Sequence, residues 1–251
     1  MKSIVNVFLT AAFVAASFAS VQKSYGQITV AGKECVLGIR AGLNFTKLGG
    51  NMASAEIPVL SRTVTIPAKM KPGIQLGVVA SYPLNNEKLM FQPGIVFAQQ
   101  GAKWKDSGTE TFSGVGVNYS ADIKMTLNYL QVPLNLLYRH DLNSGGMVLL
   151  LQAGPYLGLG LGGKMKMDTS TSWTGGTPIR ENSEEDIQFG GDKNKHDFKL
   201  FDIGLGLGAG LLFNEKYHVS LGYNIGLADT GHYLTAKNKG FALTLCYMFG
   251  N

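Results

Sequence analysis

The sequence predicts an all-β chain: an eight-stranded antiparallel up-and-down transmembrane β-barrel with long extracellular loops and short periplasmic turns. Three observations carry this. Eight segments alternate bulky apolar residues with glycine and small polar residues at a period of two, which sends successive side chains to opposite faces of a strand. The polar face is mostly glycine, too poor in charge to coat a soluble protein; a barrel that turns its bulky face to lipid and its small face to a lumen suits both compositions. The connections also alternate between long and short, as in outer-membrane barrels.

The clearest unit is the hairpin 201–227. Phe201, Ile203, Leu205, Leu207, Ala209, Leu211 and Phe213 alternate with Asp202, Gly204, Gly206, Gly208 and Gly210. After Asn214-Glu215-Lys216, Tyr217, Val219, Leu221, Tyr223, Ile225 and Leu227 alternate with His218, Ser220, Gly222, Asn224 and Gly226.

At the start of the chain, Lys2, the apolar run Ile4 to Ala19 and the small residues before Gln27 read as a cleaved secretory signal peptide, residues 1–26, too short for a spanning helix. Residues 27–251 then form the barrel domain, with no further soluble domain expected. Lys2 and Lys23 contribute two of the net +5, so the barrel carries +3, scattered along a chain only 16% charged. No basic aromatic stripe implies nucleic acid. The expected location is the outer membrane, reached by export.

The remaining strands follow in order. Strand one spans 36–45, with Leu37, Ile39, Ala41, Leu43 and Phe45 facing lipid and Gly38, Arg40, Gly42 and Asn44 facing the lumen. A long polar connection runs to about Lys71. Strand two (73–82) turns Gln75 inward, and a short turn leads to strand three (89–100), which turns Gln92 inward. A second long connection reaches about Asp122. Strand four (123–138) places Leu130, Val132, Leu134, Leu136 and Tyr138 on one face, whereas Ile123, Met125, Leu127 and Tyr129 have the opposite parity; a bulge or face change is expected near Tyr129. Strand five (147–162) turns Gln152 inward. The longest connection, 163–197, precedes the 201–227 hairpin, and strand eight spans 241–249. A secreted lipocalin-type barrel is the competing fold, but it would have to fit all eight bulky faces inside one small barrel.

Four segments carry a resemblance. Gly38-Ile39-Arg40-Ala41-Gly42-Leu43-Asn44, Gln92-Pro93-Gly94, Leu127 to Leu134 and Gly154-Pro155-Tyr156 resemble the signature segments of the PorT-like outer-membrane β-barrel proteins of Bacteroidota. The resemblance covers essentially the whole chain after the signal and implies an outer-membrane barrel. It assigns no activity, and the founding member's link to protein export is not carried over.

Candidate functional groups are few. Arg40, Gln75, Gln92, Gln152, Asp202, His218 and Asn224 are the lumen-facing polar candidates. Arg40 lies low on strand one and Asp202 high on strand six, so a direct pair is not expected. The four histidines are scattered and read as solvated or hydrogen-bonded; His232, beside Thr230 and Tyr233, is the best seat for a lipid-modifying catalyst. Glu181, Glu184, Glu185 and Asp186 read as a solvated charge run rather than a calcium site. Export permits a disulfide between Cys35 and Cys246 near the periplasmic rim, but strict alternation turns Cys35 outward and Cys246 inward, which favours free thiols.

The sequence therefore reads as a non-enzymatic surface or envelope component without cofactor, in contact with outer-membrane lipid and binding an envelope or extracellular protein through its long loops. A narrow small-solute channel and a lipid-modifying enzyme are the alternatives.

Overall fold

A computed structural model describes residues 27–30, 33–59, 62–84, 88–112, 115–142, 146–173 and 176–249. The expected signal peptide lies outside the described residues. The strands are β1 (Gln27–Val30), β2 (Lys33–Gly50), β3 (Ser54–Val59), β4 (Arg62–Pro67), β5 (Lys69–Pro83), β6 (Leu89–Phe112), β7 (Val115–Leu142), β8 (Met147–Trp173), β9 (Ile179–Ile187), β10 (Phe201–Phe213), β11 (Tyr217–Gly226) and β12 (Ala236–Met248). Eight of them, β2, β5, β6, β7, β8, β10, β11 and β12, pair antiparallel with their neighbours, and β12 returns to β2. The ring is closed, so it presents no unpaired edge to lipid.

The register fixes the size of the ring. Paired residues followed once round from Leu212 run through His218, Cys246, Arg40, Gly77, Val96, Gln131 and Gly158. They return to β10 at Asp202, ten residues from the start. With a rise of about 3.3 Å per residue and a strand spacing of about 4.8 Å, a stagger of ten over eight strands gives a tilt of about 41° and a backbone radius of about 8 Å.

The bulky face points outward, as the alternation predicts. Leu76, Leu207, Leu221 and Leu245 are exposed by 61%, 66%, 57% and 55%, which no water-soluble strand would sustain on one continuous belt. Aromatic contacts mark both margins of this belt: Tyr217, Tyr247 and Phe249 at the short-turn end, and Tyr223 against Phe241 nearer the long-loop end. The inward glycines make room for long amides. A Cβ on Gly208 would lie 2.6 Å from Gln152 Nε2, and one on Gly42 would lie 2.8 Å from Gln75 Nε2.

The long connections differ from the loops read in the sequence. β6 and β7 stay paired as far as Phe112 and Val115, β8 runs on to Trp173, and β9 lies along its upper half. The first connection holds the β3–β4 hairpin. Above the membrane the barrel therefore continues as a four-stranded ribbon, β6 to β9. Its interior is apolar: Leu48, Ile66, Trp104, Ile123, Leu127 and Tyr129 are buried together, with Met165, Met167 and Phe189 packed against them.

This inverted core explains the parity of strand four. β7 keeps one alternation throughout, so Ile123, Met125, Leu127 and Tyr129 face inward along with Gln131 and Asn135. The pairing does slip at Asn128/Tyr129, but the extra residue is Leu161 on β8, next to Gly162 at φ 149. The backbone face change therefore occurs on β8, across from the site expected on β7. A second slip separates Met70 from Gln75 on β5, and there Asn44 Nδ2 donates to the Gln99 carbonyl at 3.2 Å while Thr46 Oγ1 bonds both the N–H and the carbonyl of Gly101. These side chains satisfy backbone groups that the slip would leave unpaired.

The bridge that export would permit between Cys35 and Cys246 does not form: both thiols are free and buried. Cys246 pairs with Arg40, five residues above Cys35 on β2, about 16 Å along the strand at roughly 3.3 Å per residue. A disulfide needs Cα atoms within about 7 Å.

Candidate functional site: the lumen and its outer cap

The lumen is layered. At the short-turn end, Leu137, Val148, Leu150 and Leu212 form an apolar floor with Met90, and Val79, Cys246 and Met248 form a second cluster. A cavity of about 140 Å³ opens there, bordered by Gln92 and His218. Gln92 Nε2 donates to Ser81 Oγ at 2.8 Å. At the rim Arg139 binds Glu215 through both guanidinium NH groups at 2.6 and 2.8 Å, tying β7 to the β10–β11 turn. Asn214 and Glu215 both take left-handed φ, 50° and 56°, a conformation Asn tolerates better than Glu, so this contact steadies the less favourable of the two positions.

The middle layer is polar. Arg40, Gln75, Gln131, Asn135, Gln152 and Asn224 border a cavity of about 40 Å³. Thr244 Oγ1 accepts from Arg40 Nη2 at 3.2 Å and from Gln75 Nε2 at 3.0 Å. Asp202 stands apart in an upper layer, fully buried, accepting from Asn238 Nδ2 at 3.0 Å and from the Tyr156 hydroxyl at 3.3 Å. Asn238 and Cys246, the β12 neighbour of Arg40, are eight residues apart, about 26 Å along the strand. Arg40 and Asp202 thus do not meet. Tyr129, Tyr156 and Asn238 complete the Asp202 cluster; alternation alone could have flagged them as inward, but not as partners.

Above this layer the lumen is capped. Phe189 lies over Gly160, packs edge-on against Tyr129 at 5.3 Å and lies tilted against Phe198 at 5.7 Å. Ile66 of β4 is completely buried in the same cluster. Between the folded connections and the inner face of the ribbon lie two grooves, about 460 Å³ beside Trp104, Met125 and Met165, and about 690 Å³ beside Tyr119, Thr171 and Asn182.

The remaining candidates are held by structural bonds. His232 Nε2 lies 2.9 Å from the Gly190 carbonyl, an acceptor, so that nitrogen carries its proton and does not serve as a base. Thr230 Oγ1 donates to the Ala236 carbonyl and the Tyr233 hydroxyl to the Lys193 carbonyl. The three thus form no nucleophile–base chain. In the acidic run, Glu184 takes Lys164 at 2.7 Å and Lys166 at 2.8 Å. The hydrogen bond from Lys164, then that from Lys166, hold its carboxyl at about 2, below the ordinary 4.5. No group of three or more metal-ligating side chains occurs among the described residues.

Solved structures similar to the chain include Ail, the attachment invasion locus protein of Yersinia pestis, with 17% identity over 85% of this chain and 98% of Ail and a TM-score of 0.36. Neisserial surface protein A has 12% identity over 84% and 96%, TM-score 0.35. An outer membrane channel from Pseudomonas putida F1 has 10% identity over 92% and 99%, TM-score 0.26. No curated protein matches. The family described as outer membrane protein beta-barrel domain matches residues 22–231, and the chain belongs to it: an integral protein of the outer membrane.

Proposed function

We propose that the protein is a non-enzymatic component of the bacterial surface, a closed barrel that holds a rigid binding platform outside the membrane. The observation that carries the reading is the inverted core: the long connections are folded into a ribbon and hairpin with a shared apolar interior and grooves along it, which is how loops on a rigid scaffold come to carry binding. Its occupant is read as an extracellular or envelope protein. The PorT-like segments from Gly38 to Asn44 and from Leu127 to Leu134 support placement in that branch of Bacteroidota barrels, and residues 1–26 are read as the signal removed on export.

The test compares cells displaying the full chain with cells in which residues 106–121 are replaced by a short turn. Both forms should give a heat-modifiable band, and only the full chain should support adhesion to a protein-coated surface or a larger envelope complex on a native gel. Equal behaviour in both assays argues against the platform. The lumen's mid-section cavity of about 40 Å³, between an apolar floor and an aromatic cap, supports a closed scaffold over a channel. Planar bilayers containing the full chain should show no discrete conductance steps.

A further inference from the structure

The middle of the lumen holds a cation with no counter-charge. Arg40 gives one Nη2 hydrogen bond to Thr244, while its buried Nε has no partner. Among the described residues no carboxylate makes an ion pair with it: Asp202 lies in the layer above, bound by Asn238 and Tyr156, and Glu215 is taken by Arg139. The guanidinium does not deprotonate. A charge enclosed in a barrel and left unbalanced is strongly unfavourable, so it is normally paired.

The surroundings show what would pair with it. Gln131 Nε2 is a second buried donor without a partner, and Gln131 borders the same cavity as Arg40. Gln152 and Asn224, also on that cavity, bring further amide N–H₂ groups whose rotation can present donors. The volume is about 40 Å³, where a single water needs at least about 10–15 Å³ on this measure; a monatomic ion and a water or two fit. We propose that this cavity binds a halide, chloride in the cell, against the Arg40 guanidinium with Gln131 as a second donor.

The test uses the full chain refolded from urea in bromide, so that the ion need not cross the capped lumen. Anomalous diffraction from its crystals should show a bromide peak in contact with the Arg40 guanidinium. Folded protein should also convert to the unfolded band several degrees higher in chloride than in gluconate at equal ionic strength, and Arg40→Met should remove that difference. Bromide found at surface lysines alone, an adventitious ion only, would overturn the proposal, as would equal melting of the unsubstituted protein in the two salts. The crystallographic arm needs no variant, so it stands even if Arg40→Met does not fold. Neither arm depends on what the outer platform binds.

Discussion

At mid-membrane, above its apolar floor, this protein is polar inside and apolar outside; beyond the outer surface, the same strands are apolar inside and charged outside. β7 and β8 cross the boundary side by side and solve the inversion differently. On β7 the backbone alternation is constant and the residues change: Gln131 and Asn135 face inward in the membrane, and Ile123, Met125 and Leu127 face inward above it. On β8 the aliphatic residues stay on odd positions from Leu151 to Leu161 and the apolar ones continue on them through Met165 and Met167, and the backbone changes when Leu161 bulges beside Gly162. One strand rewrites its sequence and the other rotates. The comparison teaches that hydrophobic phase and backbone phase are separate variables, and that their product decides which medium a face meets.

The largest effects should come from treating one region by the other's rules. Leu127→Ala removes a fully buried side chain from the outer core and should destabilise that core by about 2–5 kcal/mol. Limited trypsin digestion should then cut the ribbon while the heat-modifiable band survives; loss of both together would mean the two regions fold as one unit. Leu207→Arg, on the lipid face at mid-strand, should cost about 2–4 kcal/mol, read as a lower urea midpoint for the folded band in lipid vesicles. The same substitution at outward-facing Met70, beyond the slip in β5, should be close to neutral.

A smaller effect tests the rotation itself. Gly162→Val places a β-branched residue at φ 149 and should cost about 1–3 kcal/mol, with the ribbon more protease-sensitive than the barrel. Ala at the neighbouring Gly163 would instead meet the Thr126 carbonyl, so the two variants separate backbone strain from crowding. The smallest effect concerns the charged outer face. Glu184 titrates at about 2 instead of the ordinary 4.5, so its contribution to holding β9 is complete above the ordinary value and fades as the pH falls towards 2. A nitroxide on Ser183 should gain mobility over that interval, and Glu184→Gln should abolish the change.

Much of the barrel was legible in the chain. Period-two alternation located all eight wall strands, and glycine on the opposite face indicated lipid outside. The ribbon was missed for a physical reason: above the membrane the outward residues are Lys103, Lys105, Lys164 and Lys166, so the segments lack the greasy outer face by which the strands below were recognised. The signal was present, in Ala102 and Trp104 against the first two lysines and in Met165 and Met167 against the last two, but with its sense reversed. In the lumen, the inward direction of Arg40 followed from alternation, whereas its isolation from any carboxylate depends on the ten-residue stagger, which no single strand records. The Asp202 cluster was hidden for the same reason, since Asn238 and Tyr129 reach it from strands remote in sequence.

The seam between β2 and β12 has a kinetic consequence. Seven of the eight wall contacts join strands adjacent in order around the chain's own meander, but the hydrogen bond from Arg40 to Thr244 spans 204 positions. Neighbouring hairpins can form by local zipping, while this one junction must gather the whole intervening chain and bears the greatest loop-closure entropy. Until it forms, β2 and β12 are open edges able to pair with another polypeptide. Closure at Arg40 and Thr244 is thus the step that commits the chain to a barrel of its own and ends its capacity to template a neighbour.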